Sequence, residues 1–199
     1  MNIKLVFKLL GRILSMEAAI LVLPMAVALL YRESPMPFVW SILVILCISL
    51  PLSFLPADRH FHVREGFVSV GLLWLLTGVV GGLPFYFSGY FNSFIDCVFE
   101  ASSGFTTTGA TILTNIEALP YGILFWRAFT HWLGGMGVLV LVTAIVPSLG
   151  VRPHYLTQAE TPGPVFSKLV PKQSQTSKIL YQMYFALTLA EVILLKICG

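Results

Sequence analysis

Five apolar runs, each about twenty residues long, leave this chain little choice of fold. They extend over Ile13 to Tyr31, Phe38 to Leu55, Phe67 to Phe87, Tyr121 to Val146 and Ile179 to Ile197. A helix rises 1.5 Å per residue, so around 20 residues cross a hydrocarbon core of about 30 Å. Each run is therefore read as a transmembrane helix. Only 11% of the 199 residues are charged, against about 25% in an ordinary soluble domain. That is too little polar surface to coat a globule in water. A soluble enzyme, a nucleic-acid binder and a secreted disulfide scaffold are all excluded. Cys47, Cys97 and Cys198 fall in apolar stretches without metal-ligand spacing and read as small packing residues.

The basic residues orient the spans. Lys4, Lys8 and Arg12 precede the first, Arg59 and Arg64 follow the second, and Arg152, Lys168, Lys172 and Lys178 lie between the fourth and fifth. Only Arg32 sits in the opposite loops. Positive residues collect on the cytoplasmic side, which places the N-terminus and the loop 147–178 in the cytoplasm and segment 88–120 outside. A cleavable signal peptide over residues 1–28 is the rival reading of the N-terminus. Glu17 in its apolar centre, and an apolar run continuing past Ala28, favour an uncleaved helix.

The stretch Phe91 to Ile112 carries the chemistry. It opens as a short helical pattern, too short to span, and ends in Thr106-Thr107-Thr108-Gly109-Ala110-Thr111. Threonine is β-branched and disfavours helix, while glycine admits positive φ. The pattern predicts a re-entrant helix followed by an extended or alternating strand. Irregular backbone at membrane depth survives only where it lines a protein-walled cavity. A strand held there can aim successive carbonyls at one axis and replace the water shell of a cation. The helix ending near Ser103 would turn its negative dipole end toward the same cavity.

Ser103-Gly104-Phe105-Thr106-Thr107-Thr108-Gly109-Ala110-Thr111, with Trp126-Arg127, His131-Trp132-Leu133-Gly134-Gly135-Met136-Gly137 and Glu160-Thr161-Pro162-Gly163-Pro164, resembles the bacterial Trk-type potassium uptake proteins of the Trk/Ktr/HKT superfamily. The resemblance runs in order along the whole chain and implies an all-α polytopic membrane protein. Such proteins join four helix–pore-loop–helix repeats around one pore, preceded in the Trk branch by two extra helices. It implies five transmembrane helices here, plus one re-entrant pore helix and a filter strand. Residues 1–57 would be the extra pair, 58–147 the first repeat, 148–177 a cytoplasmic loop, and 178–199 the first helix of an incomplete second repeat. By the same resemblance Gly109 is the filter glycine. Thr107, Thr108 and Ala110 offer carbonyls beside it, Thr111 follows, and potassium sits at Thr107, Thr108 and Gly109. The partners implied are the bilayer, the transported ion, a cytosolic nucleotide-binding regulatory subunit, and either a second copy of the chain or the missing C-terminal repeats. No cofactor and no nucleic acid are expected, and the location implied is the inner membrane.

Asp96 and Glu100 share one face of the short helix at i, i+4. They either lend negative potential to the outer mouth or hydrogen-bond to the filter backbone. The second is favoured, because ionised groups in a protein-walled site need partners. Arg127 has three open readings, a partner for an acid near the filter, a purely structural ion pair or a snorkelling cation, and His131 lies one turn further on. Gly134, Gly135 and Gly137 read as close-packing positions, and Gly78 and Gly82 form a GxxxG contact pair. Glu17 and Glu191 sit inside spans and are expected to face other helices. His60 and His62, with Asp58 and Glu65, read as a solvated connector in preference to a metal site, and the loop 147–178 is too proline-rich for one helix.

One filter segment is present where a carbonyl ring needs several. The expected function is potassium uptake as the N-terminal part of a Trk-type transporter, inactive alone. The alternatives are a subunit or scaffold that assembles with a separate C-terminal half, and a secondary carrier of another solute. An enzyme is disfavoured, since no nucleophile–base pair or phosphate-binding loop has usable spacing.

Overall fold

A computed structural model of the chain describes residues 3–56, 63–137 and 173–198. It divides into two compact units, Met1–Gly135 and Met136–Gly199. The first holds seven helices among its described residues: α1 (Ile3–Ile20), α2 (Val22–Leu30), α3 (Met36–Ser53), α4 (Val63–Gly81), α5 (Leu83–Ser88), α6 (Phe94–Phe105) and α7 (Tyr121–Gly135). The second contributes α8 (Gln173–Cys198). Residues 58, 60 and 62, the loop 148–172 and positions 138–146 of the expected fourth span lie outside the described residues.

Among the described residues, four stretches are long and apolar enough to cross a membrane: Ile3–Leu30, Met36–Ser53, Val68–Ser88 and Ile179–Cys198. The described part of the expected fourth span, α7, has 15 residues, about 22 Å at helical rise, and does not reach that length. The first helix begins at Ile3, ten residues before the apolar run. Leu5, Val6, Leu9, Leu10 and Leu14 are buried at helical spacing, so Lys4, Lys8 and Arg12 belong to the amphipathic opening of the helix rather than to a loop. The break at Leu21 follows from Pro24, whose ring opposes the carbonyl four residues back, at Ile20. Pro84 marks a similar joint between α4 and α5, and Gly89, at φ +73°, ends α5 in the left-handed region.

Lipid offers no hydrophobic drive between helices, so close approach at small residues holds the unit together. A Cβ on Gly11 of α1 would stand 2.7 Å from Ser53 N and 2.8 Å from Ser49 O of α3. Gly82 faces the Cys97 backbone at 3.1 Å, and Gly78 faces the Ser102 hydroxyl. Contacts 78 to 102 and 82 to 97 make α4 and α6 antiparallel. Between α6 and α7 the contacts advance together, from Glu100 with Arg127 to Gly104 with Thr130 and Phe105 with Gly134. Those two helices are therefore parallel, and residues 106–120 must run back against both.

Candidate functional site: the loop after α6

Ser93 opens α6. Its backbone is extended, and its hydroxyl accepts from Asp96 N at 3.2 Å, satisfying one of the free donors of the first turn. The helix has 12 residues, about 18 Å, too short to span. Both ends of segment 89–120 return to one place. Ser88 and Tyr90 on the outgoing side, and Glu117 to Tyr121 on the returning side, line one cavity of about 530 Å³ with Glu33 and Phe38. The chain thus enters and leaves at the same end of the bundle.

At its far end α6 closes with a six-residue turn. Thr107 N donates to Gly104 O at 2.9 Å and Thr108 N donates to Ser103 O at 3.0 Å. This pair of bonds defines a Schellman cap, whose left-handed position is usually glycine. Here it is Thr107, at φ +54°, a costly conformation for a β-branched residue. Thr106 has φ −82° and Gly109 has φ +75°, while neither Thr108 nor Ala110 is left-handed. The sign of φ alternates from 106 to 110.

The expected strand is absent among the described residues, because the segment pairs with no neighbouring strand. Its polar groups bond to the last turn of α6 and to one buried carboxylate instead. The Thr106 hydroxyl donates to Ser102 O at 2.7 Å and lies 2.8 Å from the Thr108 hydroxyl. The Ser103 hydroxyl donates to Ala110 O at 2.6 Å. Residues 106 to 112 are otherwise exposed.

Glu100 is the anchor, 1% exposed. Arg127 Nε donates to its Oε1 at 2.5 Å, the Thr111 hydroxyl lies 3.0 Å from both oxygens, and Ile112 N donates to Oε2 at 3.2 Å. Asp96 stands elsewhere. It is half-buried in the first turn of α6, where a negative charge suits the helix dipole, and its carboxylate bonds to nothing among the described residues. His131 Nδ1 lies 2.9 Å from Arg127 O within its own helix and does not join Glu100. The structure thus brings Glu100, Arg127, Thr111 and the loop of Thr107, Thr108, Gly109 and Ala110 together, and leaves Asp96 and His131 apart.

Three contributors were not named as site residues, although Ser103 and Trp126 stand in the motif that carries the resemblance. Glu33, in the turn before α3, accepts from Tyr121 N at 2.7 Å and Gly122 N at 2.9 Å and so caps α7. Trp126, fully buried, donates from Nε1 to Gly81 O at 2.9 Å. Ser103 holds Ala110. The first two join partners 88 and 45 residues away, a separation that local patterning does not reveal. Ser103 had a weak signal, a hydroxyl one turn before a threonine run. Glu17 is buried, as expected for a residue facing helices, beside Gly81 and Phe105.

Fold and site define a multi-pass helical membrane protein containing a helix, an inward loop and a second helix parallel to the first. Residues 36–198 match the TrkH family, described as cation transport protein, and the chain belongs to that family. It is 38% identical over 205 residues to the Trk system potassium uptake protein TrkH of Vibrio parahaemolyticus, covering all of this chain and 42% of that protein. It is 40% identical over 205 residues to the protein of the same name from Salmonella typhimurium, again covering all of this chain and 42% of the relative. The crystal structure of the potassium transporter TrkH from Vibrio parahaemolyticus superposes with a TM-score of 0.75 at 35% identity, over 96% of this chain and 38% of that one. The chain thus spans about two fifths of the length of these relatives.

Proposed function

We propose that this chain supplies one wall of a potassium-selective pore, with residues 106–111 as its filter segment. The observation that carries the proposal is the single carboxylate of Glu100 binding Arg127 of α7 together with Thr111 and Ile112 of the loop. That clamp holds in place a backbone whose φ alternates in sign, the conformation that lets neighbouring carbonyls face one side and replace ion hydration. Potassium is assigned to Thr107, Thr108 and Gly109, and Ala110 ranks lower because one lone pair of its carbonyl already accepts from Ser103. The names of the relatives support potassium as the ion. No cofactor is needed, since the ion itself is the cargo.

One filter segment makes a quarter of a four-part ring, so the chain alone does not transport. It is an inner-membrane component with its N-terminus in the cytoplasm, regulated through a cytosolic nucleotide-binding partner, and it works joined to further repeats. A subunit that meets a separately encoded C-terminal half is the second reading. Rubidium uptake in a bacterium lacking its own potassium importers tests both. The 199-residue chain should give none. A chimera in which it replaces the matched N-terminal part of the Vibrio parahaemolyticus relative should restore uptake, and substitutions at Thr108 or Gly109 should change its ion preference. Uptake by the chain alone, or indifference of the chimera to both positions, sinks the proposal. Indifference would also turn attention to a carrier of another solute.

A further inference from the structure

Ser103 is 6% exposed, yet it reaches both sides of Gly109. Its main-chain oxygen accepts from Thr108 N at 3.0 Å and lies 3.5 Å from the Thr106 hydroxyl. Its side-chain hydroxyl donates to Ala110 O at 2.6 Å, the short distance of a strong O–H···O bond. Between these points stands Gly109 at φ +75°, where a Cβ would meet nothing within 4 Å. The glycine is there for its backbone freedom, and that freedom makes the neighbouring peptide planes easy to turn. Beyond Ala110, Thr111 is tied to Glu100. The direction of the Ala110 carbonyl is therefore fixed at its oxygen by Ser103 and at the following residue by Glu100.

We propose that Ser103 is a positioning residue that sets ion discrimination, by holding the Ala110 carbonyl in one orientation through its buried hydroxyl. The proposal rests on reading 106–111 as a filter segment and adds a residue outside that segment to it. Discrimination between potassium and sodium depends on how many carbonyls face the ion and how strongly each binds it. A carbonyl already accepting from a hydroxyl offers a cation one lone pair fewer and cannot swing. Removing the hydroxyl leaves the bulk of the side chain in place, so Ser103→Ala changes the bond with little change in packing.

Two measurements test this. The sequence contains one Ala–Thr step, Ala110–Thr111, so carbonyl-¹³C alanine with ¹⁵N threonine marks that peptide alone in NMR spectra of the 199-residue chain. The Ala110 carbonyl resonance should move upfield in Ser103→Ala, as a lost hydrogen bond requires, and stay near its original position in Ser103→Thr, which keeps a hydroxyl. In the chimera, preference for rubidium over sodium should fall about fivefold in Ser103→Ala, the size expected for one neutral hydrogen bond, and return in Ser103→Thr. An unmoved carbonyl resonance in Ser103→Ala overturns the proposal whether or not the chimera transports. Unchanged preference in Ser103→Ala, with altered preference in Gly109→Ala, overturns it and leaves the filter reading standing. Unchanged preference in both variants removes the filter reading and this proposal with it.

Discussion

Replacing Glu100 by glutamine keeps the shape of the side chain and removes its charge and one acceptor. Three donors converge on the carboxylate: Arg127 Nε, the Thr111 hydroxyl and Ile112 N. Glutamine offers one oxygen, so at least one donor then faces an amide N–H. Breaking a buried ion pair from one side costs about 3–5 kcal/mol. Arg127 is 18% exposed and recovers part of this by turning toward polar surroundings, so the lower end, about 3 kcal/mol, is expected. For a chain of this length that lowers the melting temperature by about 6–12 °C. Thermal unfolding in detergent, followed by tryptophan fluorescence, measures it. Adding Arg127→Met to Glu100→Gln should recover part of the loss, because no unpaired charge then remains. A Glu100→Gln protein that melts within about 1 °C of the parent would refute the reasoning, and so would a double variant no better than the sum of its parts.

Glu33→Ala strips two acceptors from the first turn of α7, at a cost of about 1–2 kcal/mol; hydrogen exchange should quicken at Tyr121 and Gly122 well before the middle of that helix. Thr107 and Thr108 should answer glycine oppositely. Thr107→Gly relieves a left-handed threonine, worth about 1–2 kcal/mol before the entropy of glycine is deducted, so its melting temperature should hold or rise. Thr108→Gly should lower it, since that residue is not left-handed and loses its contact with the Thr106 hydroxyl. Trp126→Phe leaves the Gly81 carbonyl without its donor and should cost about 1–2 kcal/mol in the same unfolding assay.

The helices were legible because a bilayer demands long apolar runs and this chain has them. Their ends were less so. The apolar run began at Ile13, yet the helix begins at Ile3, since a helix can leave the hydrocarbon and continue as an amphipathic one. The Thr/Gly segment stood out by composition, but β-branched residues suggested a strand. What decides the conformation is the Schellman cap, a local main-chain motif seated on an unexpected threonine, together with the Glu100 clamp, which brings in Arg127 from another helix. Glu100 and Arg127 could each be suspected, because charges inside apolar stretches need partners. Glu33 could not, because an acid in a polar turn looks like any other until Tyr121 arrives beside it.

The glycines around α6 have a consequence for how such proteins can be recombined. Gly78 on α4 and Gly82 just past its end meet Ser102 and the Cys97 backbone, while Gly134 on α7 meets the Phe105 main chain, where a Cβ would stand 2.7 Å from the carbonyl carbon. Gly104 meets Thr130 in return. Contacts this close, two of them to main chain and two to short hydroxyl side chains, leave little that can rearrange around a foreign helix. A loop taken alone from a relative would arrive with its helix set at the wrong depth between two fixed walls. The smallest interchangeable part is α4, α6 and α7 together, and a designer who wants another ion preference must move all three or alter single residues in place.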